Sequence, residues 1–195
     1  MRQRLIAFVD RDGVINRRLD LGVRTPAELE LLPGALEALA MLARHDARVI
    51  VVTNQANVGR GFLPLERLHE IHAALLDMIR AAGGRVEAVY VCPHAPEDGC
   101  RCRKPAPGML QRAASDLGFA MRRAYMIGDQ PTDVEAAHRA GCRAVLVGSD
   151  DGISQCRPHL RAASLLEAAH QLLTRSAPVA AAPPSRGETP AWALP

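Results

Sequence analysis

Short apolar runs alternate with longer amphipathic segments along most of the chain. A short apolar run predicts a buried strand, and apolar residues that return every three or four positions predict a helix. The predicted strands cover residues 5–9, 49–52, 86–91, 124–127 and 144–147. The predicted helices cover residues 34–44, 65–81, 108–117, 132–140 and 164–175. This alternation predicts an α/β fold, a Rossmann-like doubly wound parallel sheet covered by helices on both faces.

Polar residues follow four of the predicted strands, directly or after one residue. They are Asp10, Thr53, Cys92 and Asp129. Ligands of doubly wound parallel sheets bind beyond the carboxyl ends of the strands. We therefore expect the functional site at this edge of the sheet.

Length and composition narrow the class of protein. The 195 residues suit a single domain, which we place at residues 1–175. Residues 176–195 are rich in Pro and Ala without apolar periodicity, which predicts a flexible C-terminal tail. The net charge of +3 and the few aromatic residues predict no nucleic-acid partner. Because no apolar run approaches the roughly 20 residues of a membrane span and no signal peptide is visible, we expect a cytoplasmic monomer without membrane contact.

Two carboxylates, Asp10 and Asp12, stand two residues apart at the mouth of the first predicted strand. Gly13 lets the backbone turn sharply, so that both carboxylates can face one cavity. One of them can attack phosphorus while the other protonates the leaving oxygen and later deprotonates water. Taken alone, the pair is equally typical of an Asx turn with solvated charges.

Three further elements at the same edge supply what phosphoryl transfer needs. Thr53 offers a hydroxyl beside exposed backbone amides, which can bind phosphate oxygens. Lys104, in a loop before a helix, can neutralise a transferring phosphoryl group. Asp129, with Asp133 four residues later, offers the hard oxygen ligands that Mg²⁺ prefers. Each element alone is typical of a cap, a turn or a solvated side chain, but together they predict a phosphoryl-transfer site.

Soft metal ligands cluster between the third predicted strand and Lys104. They are Cys92, His94, Cys100 and Cys102. Three sulfurs and one imidazole suit tetrahedral Zn²⁺, and four protein ligands leave no open position for water. The predicted zinc is therefore structural, and it would fix a loop without regular secondary structure. The alternative is free thiols beside a surface histidine, since the odd total of five cysteines argues against a disulfide framework.

The motifs resemble the haloacid dehalogenase superfamily of phosphatases over about residues 5 to 150. The matching residues are Asp10-Arg11-Asp12-Gly13, Thr53, Lys104 and Gly128-Asp129. The resemblance implies that Asp10 is the nucleophile, that Asp12 is the general acid and base, and that Thr53 and Lys104 clamp the phosphoryl oxygens. It also implies Mg²⁺ held by the Asp10 carboxylate, the Asp12 backbone carbonyl and Asp129.

The Cys and His loop and the stretches TNQANVGRG, CRKPAPGM and GDQPTD resemble one nearly capless branch of that superfamily. The branch contains phosphatases of D-glycero-D-manno-heptose 1,7-bisphosphate and of histidinol phosphate. The first activity removes the 7-phosphate of a small sugar, in the ADP-heptose and lipopolysaccharide core precursor pathway. The resemblance implies substrate contacts by Arg11, Asn54, Gln55, Ala56, Arg103, Lys104 and Gln130. Two departures remove partners for a bisphosphate, because the branch often has Ser at the position of Ala56 and Lys at that of Gln130.

Three alternatives remain open. A histidinol-phosphate phosphatase would favour acidic residues at the mouth of the site, whereas this loop offers Arg101, Arg103 and Arg60. A phosphatase of nucleic-acid ends would need an aromatic stacking platform, which this chain lacks. A zinc-stabilised interaction module with a dead active site would be expected to lack Asp10 or Asp129, and both are present.

Overall fold

The computed structural model describes residues 4–148 and 156–176. Within them, one sheet consists of β1 Ile6–Val9, β2 Arg48–Asn54, β3 Ala88–Cys92, β4 Ala124–Gly128, β5 Arg143–Val147 and β6 Leu160–Ala162. Every neighbouring pair is parallel, in the order β3-β2-β1-β4-β5-β6. The predicted α/β fold with a parallel sheet is confirmed.

The helices of the described chain are α1 Ala35–Arg44, α2 Ala56–Gly59, α3 Leu65–Ala81, α4 Gly108–Leu117, α5 Pro131–Ala140 and α6 Leu165–Ser176. All five predicted helices are present, with ends within one residue of the prediction. The single turn α2 and the three-residue strand β6 were not predicted, because elements so short show no period in the sequence. The third strand begins at Ala88, two residues later than predicted.

The sheet carries an apolar layer on each face, because successive side chains of a strand point to opposite sides. Ala7 and Val9 of β1 lie in the layer formed with α1, α3 and α6, and Ile6 and Phe8 lie in the layer formed with α4 and α5. Burial on both faces explains why the strands are continuously apolar rather than alternating.

The central strand β1 lies between β2 and β4, where the order of strands along the chain reverses. Ligands of doubly wound sheets bind at such a switch point. The segment between β1 and α1 contains a 3₁₀ turn, Pro26–Glu28, and isolated bridges at Asn16, so this described segment forms no separate cap domain. The fold therefore leaves the ends of β1, β2 and β4 open to a small ligand.

The predicted boundary at residue 175 falls at the end of α6, whose last residue is Ser176. Apart from Ser176, the predicted tail at residues 176–195 lies outside the described residues, so both calls stay predictions. Among the helices that the structure describes, none combines the length and apolar character that a membrane crossing requires.

Candidate active site

Asp10 stands directly after β1 at the switch point, and its exposed fraction is 6%. The amide of Arg11 donates to Asp10 Oδ1 at 2.8 Å, and Lys104 Nζ lies 2.9 Å from the same oxygen. Burial raises the pKa of Asp10 to about 6, although the charge of Lys104 opposes this rise. The carboxylate is therefore oriented by two bonds and depends on nearby cations to stay ionised.

Lys104 is fixed by charges and by backbone. Its Nζ lies 2.7 Å from Asp133 Oδ1 and donates to the carbonyl of Val52 at 3.1 Å. Asn54 exchanges two hydrogen bonds with the Lys104 backbone, each of 3.1 Å. Burial alone would lower the pKa of Lys104, but the charges of Asp10 and Asp133 outweigh it and raise the pKa. The result is a permanent ammonium ion at one fixed place.

Asp133 holds Lys104 in place. Its Oδ1 contacts the ammonium, and its Oδ2 accepts a bond of 3.1 Å from the amide of Gln130 at the start of α5. Sequence reasoning considered Asp133 only as a source of metal ligands. The available signal was its place in GDQPTD, four residues after Asp129, which puts it on the first turn of a helix.

Asp12 lies in a network of donors. Arg11 Nη2 donates to its Oδ2 at 2.8 Å, Asn16 Nδ2 donates to Oδ1 at 2.9 Å, and Gln55 Nε2 donates to Oδ2 at 2.8 Å. Burial alone would raise the pKa of Asp12, but the charge of Arg11 and these bonds outweigh it and lower the pKa. Asp12 is therefore ionised, the state in which it can accept a proton.

The Arg11 guanidinium is turned into the protein, with an exposed fraction of 0%. Besides Asp12, it contacts His72 Nε2 of α3 at 3.1 Å. Burial, and then the charge of Arg11, lower the pKa of His72 to about 4, so the ring is neutral and accepts this bond. Substrate contact by Arg11 stays a prediction. His72 was missed by sequence reasoning, and its signal was a histidine in register with the buried Leu68 and Leu75.

Asp129 follows β4 and meets the loop that carries Asp12. Gly13 has φ 89°, and a Cβ at this glycine would lie 2.1 Å from Asp129 Oδ2. Only glycine therefore permits this approach. Arg18 Nη2 donates to both carboxylate oxygens of Asp129, at 2.7 and 2.9 Å, and to the carbonyl of Asp12 at 3.0 Å. In the sequence, Arg18 belongs to a basic pair, Arg17-Arg18, which suits either a contact to a substrate phosphate or, more commonly, a solvated surface.

These oxygens fit a hard divalent cation. Carboxylate oxygens of Asp10, Asp129 and Asp133 lie within 4.8 Å of one another. A cationic nitrogen of Arg18 already contacts the Asp12 carbonyl together with Asp129, which shows that these groups converge on one positive charge. Clustered carboxylate and carbonyl oxygens are the ligand set that Mg²⁺ prefers.

The remaining predicted residues surround the two aspartates. Thr53 is buried at the end of β2, and its Oγ1 accepts a bond of 2.9 Å from Gln55 Nε2. Ala56 begins α2. Gln130 Nε2 donates to the carbonyl and the carboxylate of Asp129, both at 3.2 Å. Substrate contacts by Asn54, Gln55, Ala56 and Gln130 stay predictions. The side chains of Asn54, Gln55 and Gln130 bond to other groups of the protein.

The four soft ligands form one compact cluster. Cys102 Sγ lies 3.2 Å from Cys92 Sγ and 3.4 Å from Cys100 Sγ, and His94 Nδ1 lies 3.2 Å from Cys102 Sγ. Ligands about 2.3 Å from a single tetrahedral ion stand at spacings close to these. The prediction that this loop lacks regular secondary structure is wrong at two points. Cys92 ends β3, and Pro96–Asp98 forms a 3₁₀ turn.

Two basic side chains contact the loop that carries this cluster. Arg103 Nη1 donates to the carbonyl of His94 at 3.3 Å, and Arg60 Nε lies 3.5 Å from Glu97 Oε1. Arg103 is the residue before the buried Lys104, so it links the cluster to the acidic site.

Known proteins resemble this chain in sequence. A family model described as HAD-hydrolase-like matches residues 101–169. The chain is 39% identical over 147 residues to the D-glycero-beta-D-manno-heptose-1,7-bisphosphate 7-phosphatase of Pseudomonas putida, across 75% of this chain and 84% of that protein. It is 34% identical over 137 residues to the histidine biosynthesis bifunctional protein HisB of Legionella pneumophila, across 70% of this chain but 39% of that protein.

A solved structure agrees with the sequence relatives. The crystal structure of D,D-heptose 1,7-bisphosphate phosphatase from B. bronchiseptica, complexed with magnesium and phosphate, matches with a TM-score of 0.81 and 35% identity. The match covers 87% of this chain and 98% of the other. The predicted resemblance is confirmed. The chain therefore belongs to the haloacid dehalogenase-like hydrolases and, within them, to the family of the D-glycero-beta-D-manno-heptose-1,7-bisphosphate 7-phosphatases.

Proposed function

We propose that this protein is a magnesium-dependent phosphatase that removes the 7-phosphate of D-glycero-D-manno-heptose 1,7-bisphosphate. The observation that carries the proposal is the pair Asp10 and Asp12 at the end of β1, with Lys104 Nζ 2.9 Å from Asp10. The family relatives that bear this activity in their names support the choice of substrate. The product would enter the ADP-heptose and lipopolysaccharide core precursor pathway.

In the first step, a carboxylate oxygen of Asp10 attacks phosphorus, and the bond from phosphorus to the sugar oxygen breaks. Lys104 and the hydroxyl of Thr53 hold the phosphoryl oxygens, whose charge must be neutralised in the transition state. Asp12 is ionised in the free site, but the negative charge of the bound phosphate favours its protonated form, and it gives this proton to the leaving sugar oxygen. The result is a free sugar hydroxyl and an aspartyl-phosphate at Asp10.

In the second step, Asp12 is ionised and takes a proton from water, whose oxygen attacks the phosphorus of the aspartyl-phosphate. The bond from phosphorus to Asp10 breaks, so inorganic phosphate leaves and both aspartates are restored. The low pKa of Asp12 in its network with Arg11, Asn16 and Gln55 favours the ionised form that this step requires. Magnesium, held by Asp10, the Asp12 carbonyl and Asp129, would supply charge neutralisation.

We further propose that Cys92, His94, Cys100 and Cys102 hold one structural zinc ion. The support is a set of three sulfurs and one ring nitrogen within 4.8 Å of one another. Elemental analysis of the purified protein should find about one zinc per chain. Zinc content near zero in a fully stable protein would contradict this.

Histidinol phosphate is the second candidate substrate, because the chain also matches the HisB protein of Legionella pneumophila. That substrate carries one phosphate and a cationic amine, which would require acidic groups at the mouth of the site. The adjacent loop instead carries Arg103, next to Lys104 in sequence, and Arg60 pairs with Glu97 of that loop; guanidinium groups suit a second phosphate. The charge around the site therefore favours the sugar bisphosphate.

The deciding experiment measures kcat/KM for both substrates side by side with magnesium present, with Asp10→Asn as the inactive control. Phosphorus NMR of the monophosphate formed from the bisphosphate identifies which phosphate has left. We expect a higher kcat/KM for the heptose bisphosphate and loss of its 7-phosphate. An equal or higher value for histidinol phosphate would overturn the assignment of substrate.

A monomeric, cytoplasmic state without a nucleic-acid partner completes the proposal. The small net charge of +3 and the scarcity of aromatic side chains support the absence of a nucleic-acid partner. Size-exclusion chromatography with light scattering checks the monomer, which a mass of twice 21.0 kDa would contradict.

A further inference from the structure

Arg18 places a cationic nitrogen against the oxygens assigned to the metal. Its Nη2 lies 2.7 and 2.9 Å from the two carboxylate oxygens of Asp129 and 3.0 Å from the carbonyl of Asp12. In the proposed function, Asp129 and the Asp12 carbonyl are two of the three groups that hold magnesium. One side-chain nitrogen therefore contacts two magnesium ligands that come from different strands.

Arg18 Nη2 and a divalent ion cannot contact these oxygens at the same time. Magnesium binds oxygen at about 2.0–2.1 Å with near-octahedral geometry, so it needs the lone pairs and the space that Arg18 Nη2 takes. Two positive charges at such a separation also repel each other strongly. Binding of the ion thus requires Arg18 to move away.

The charge balance explains why Arg18 is held there without the ion. Three carboxylates, those of Asp10, Asp129 and Asp133, come together at this point, and Lys104 supplies one buried positive charge to Asp10 and Asp133. Clustered carboxylates without further cations repel each other. Lys104 pairs with Asp10 and Asp133, and Arg18 neutralises the third member, Asp129.

Exposure indicates that Arg18 can leave. Its side chain is 48% exposed, whereas that of Asp129 is 15% exposed. Arg11, the other arginine of the site, has an exposed fraction of 0% and is enclosed between Asp12 and His72. A half-exposed guanidinium recovers its hydration on release, so its departure costs little.

We propose that Arg18 is an internal cation of the metal-free site, which neutralises Asp129 until the divalent cation displaces it. The inference rests on the proposed function, because it takes Asp129 and the Asp12 carbonyl as the metal ligands. Arg18 then lowers the affinity for magnesium and stabilises the metal-free protein. In the magnesium-bound protein it contributes nothing through this contact.

The test compares Arg18→Ala with Arg17→Ala, its matched control. Arg17 is the adjacent arginine, and its Nη1 pairs with Glu30 Oε2 at 3.2 Å, with both side chains largely exposed. Titration calorimetry with magnesium alone measures Kd, and thermal unfolding with and without saturating magnesium measures Tm. Neither measurement needs substrate or turnover.

We expect Arg18→Ala to bind magnesium about 1.5- to 5-fold more tightly than the wild type, the range for losing one partly exposed ion pair. Its Tm should fall in the metal-free state and match the wild type at saturating magnesium. Arg17→Ala removes the same charge from the adjacent position and should keep the wild-type Kd.

Three results would overturn the inference. An unchanged or weaker affinity in Arg18→Ala would show that Arg18 does not compete with the ion. Equal falls in Tm with and without magnesium would show a purely structural role. If the wild type and Arg18→Ala both fail to bind magnesium, the proposed function fails with the inference, whereas an active wild type with an unchanged Kd in the variant overturns the inference alone.

Discussion

Two ligand-rich regions of this protein are built in different ways. The acidic centre, defined as Asp10, Asp12, Lys104 and Asp129, lies where β1 and β4 end, and its charges are paired by other protein groups. The sulfur cluster, defined as Cys92, His94, Cys100 and Cys102, lies mostly on a loop after β3. The first region is positioned by the sheet, whereas three of the four ligands of the second lie on a loop that packs against one apolar layer.

This difference indicates which region needs an ion in order to keep its conformation. Strand ends in a hydrogen-bonded parallel sheet stay in place without a ligand, because the ladder and the two apolar layers hold them. A loop has no such ladder, so an ion that binds four of its side chains contributes directly to folding. The two regions meet at Arg103 and Lys104, so substitutions in each region can show whether the acidic centre depends on the sulfur cluster.

The largest effect is expected from Asp10→Asn. An amide is a poor nucleophile, so kcat should fall by at least about 10⁴-fold, or roughly 5.5 kcal/mol. The Tm should change by only a few degrees, because Asn keeps an oxygen acceptor and Asp133 still pairs with Lys104. Phosphate release and thermal unfolding measure the two effects, with the exposed Asp20→Asn as control. Appreciable turnover by pure Asp10→Asn would rule out the covalent mechanism.

The next effect is on stability, from Cys100→Ala in the sulfur cluster. Loss of one zinc ligand should lower the free energy of unfolding by roughly 2–5 kcal/mol and reduce the zinc content. Below its Tm, the variant should keep kcat within about tenfold, because Asp10, Asp133 and Asn54 hold Lys104 independently.

Cys142→Ala is the matched control for Cys100→Ala, since Cys142 is a buried cysteine outside the cluster. This control should keep about one zinc per chain. Full stability of a zinc-free preparation would contradict the structural role of the cluster. Loss of kcat in proportion to loss of zinc would show that the acidic centre depends on the cluster.

A smaller effect is expected from Arg103→Ala, where the two regions meet. If Arg103 holds a second phosphate, kcat/KM for the bisphosphate should fall by about 1.5–3 kcal/mol, mainly through KM. The effect on p-nitrophenyl phosphate should be much smaller, because that substrate has no second phosphate. Arg101→Ala, an exposed arginine of the same loop, is the control. Equal losses on both substrates would show that Arg103 serves the loop or the chemistry.

The smallest effect concerns His72, which supports the acidic centre from α3. Its pKa is lowered from 6.5 to about 4 in the folded protein, so the unfolded chain takes up the proton first as the pH falls. Stability from His72 is therefore complete above pH 6.5 and is lost as the pH falls toward 4.

The variant His72→Gln keeps a hydrogen-bond acceptor for Arg11 and does not titrate. Between pH 7 and pH 5 its free energy of unfolding should decrease less than that of the wild type, by on the order of 1 kcal/mol. Urea unfolding at both pH values measures this. His69→Gln, on the neighbouring turn of α3, is the control. Parallel pH profiles of His72→Gln and the wild type would contradict the buried, neutral state of His72.

The class of fold and the residues of both ligand-rich regions can be predicted from the sequence alone. Continuous apolar runs report burial on both faces of a strand, so the five longer strands and all five long helices followed from local pattern. The residues of the acidic centre follow strands or occupy a recognisable motif, and the soft ligands of the cluster lie close together in sequence. Local information was sufficient for these features because neighbouring residues carry it.

The partners of the charged side chains follow from the tertiary structure and not from the local sequence. Arg11 meets His72 across a separation of 61 residues, and Arg18 meets Asp129 across 111. Both contacts arise because the sheet and the helices that cover it bring distant segments to one edge. The family resemblance implies a substrate contact for Arg11, and the sequence leaves Arg18 either a phosphate contact or a solvated surface position. Which partner a charged side chain finds depends on burial and distance in space, and neither is encoded in its immediate neighbours.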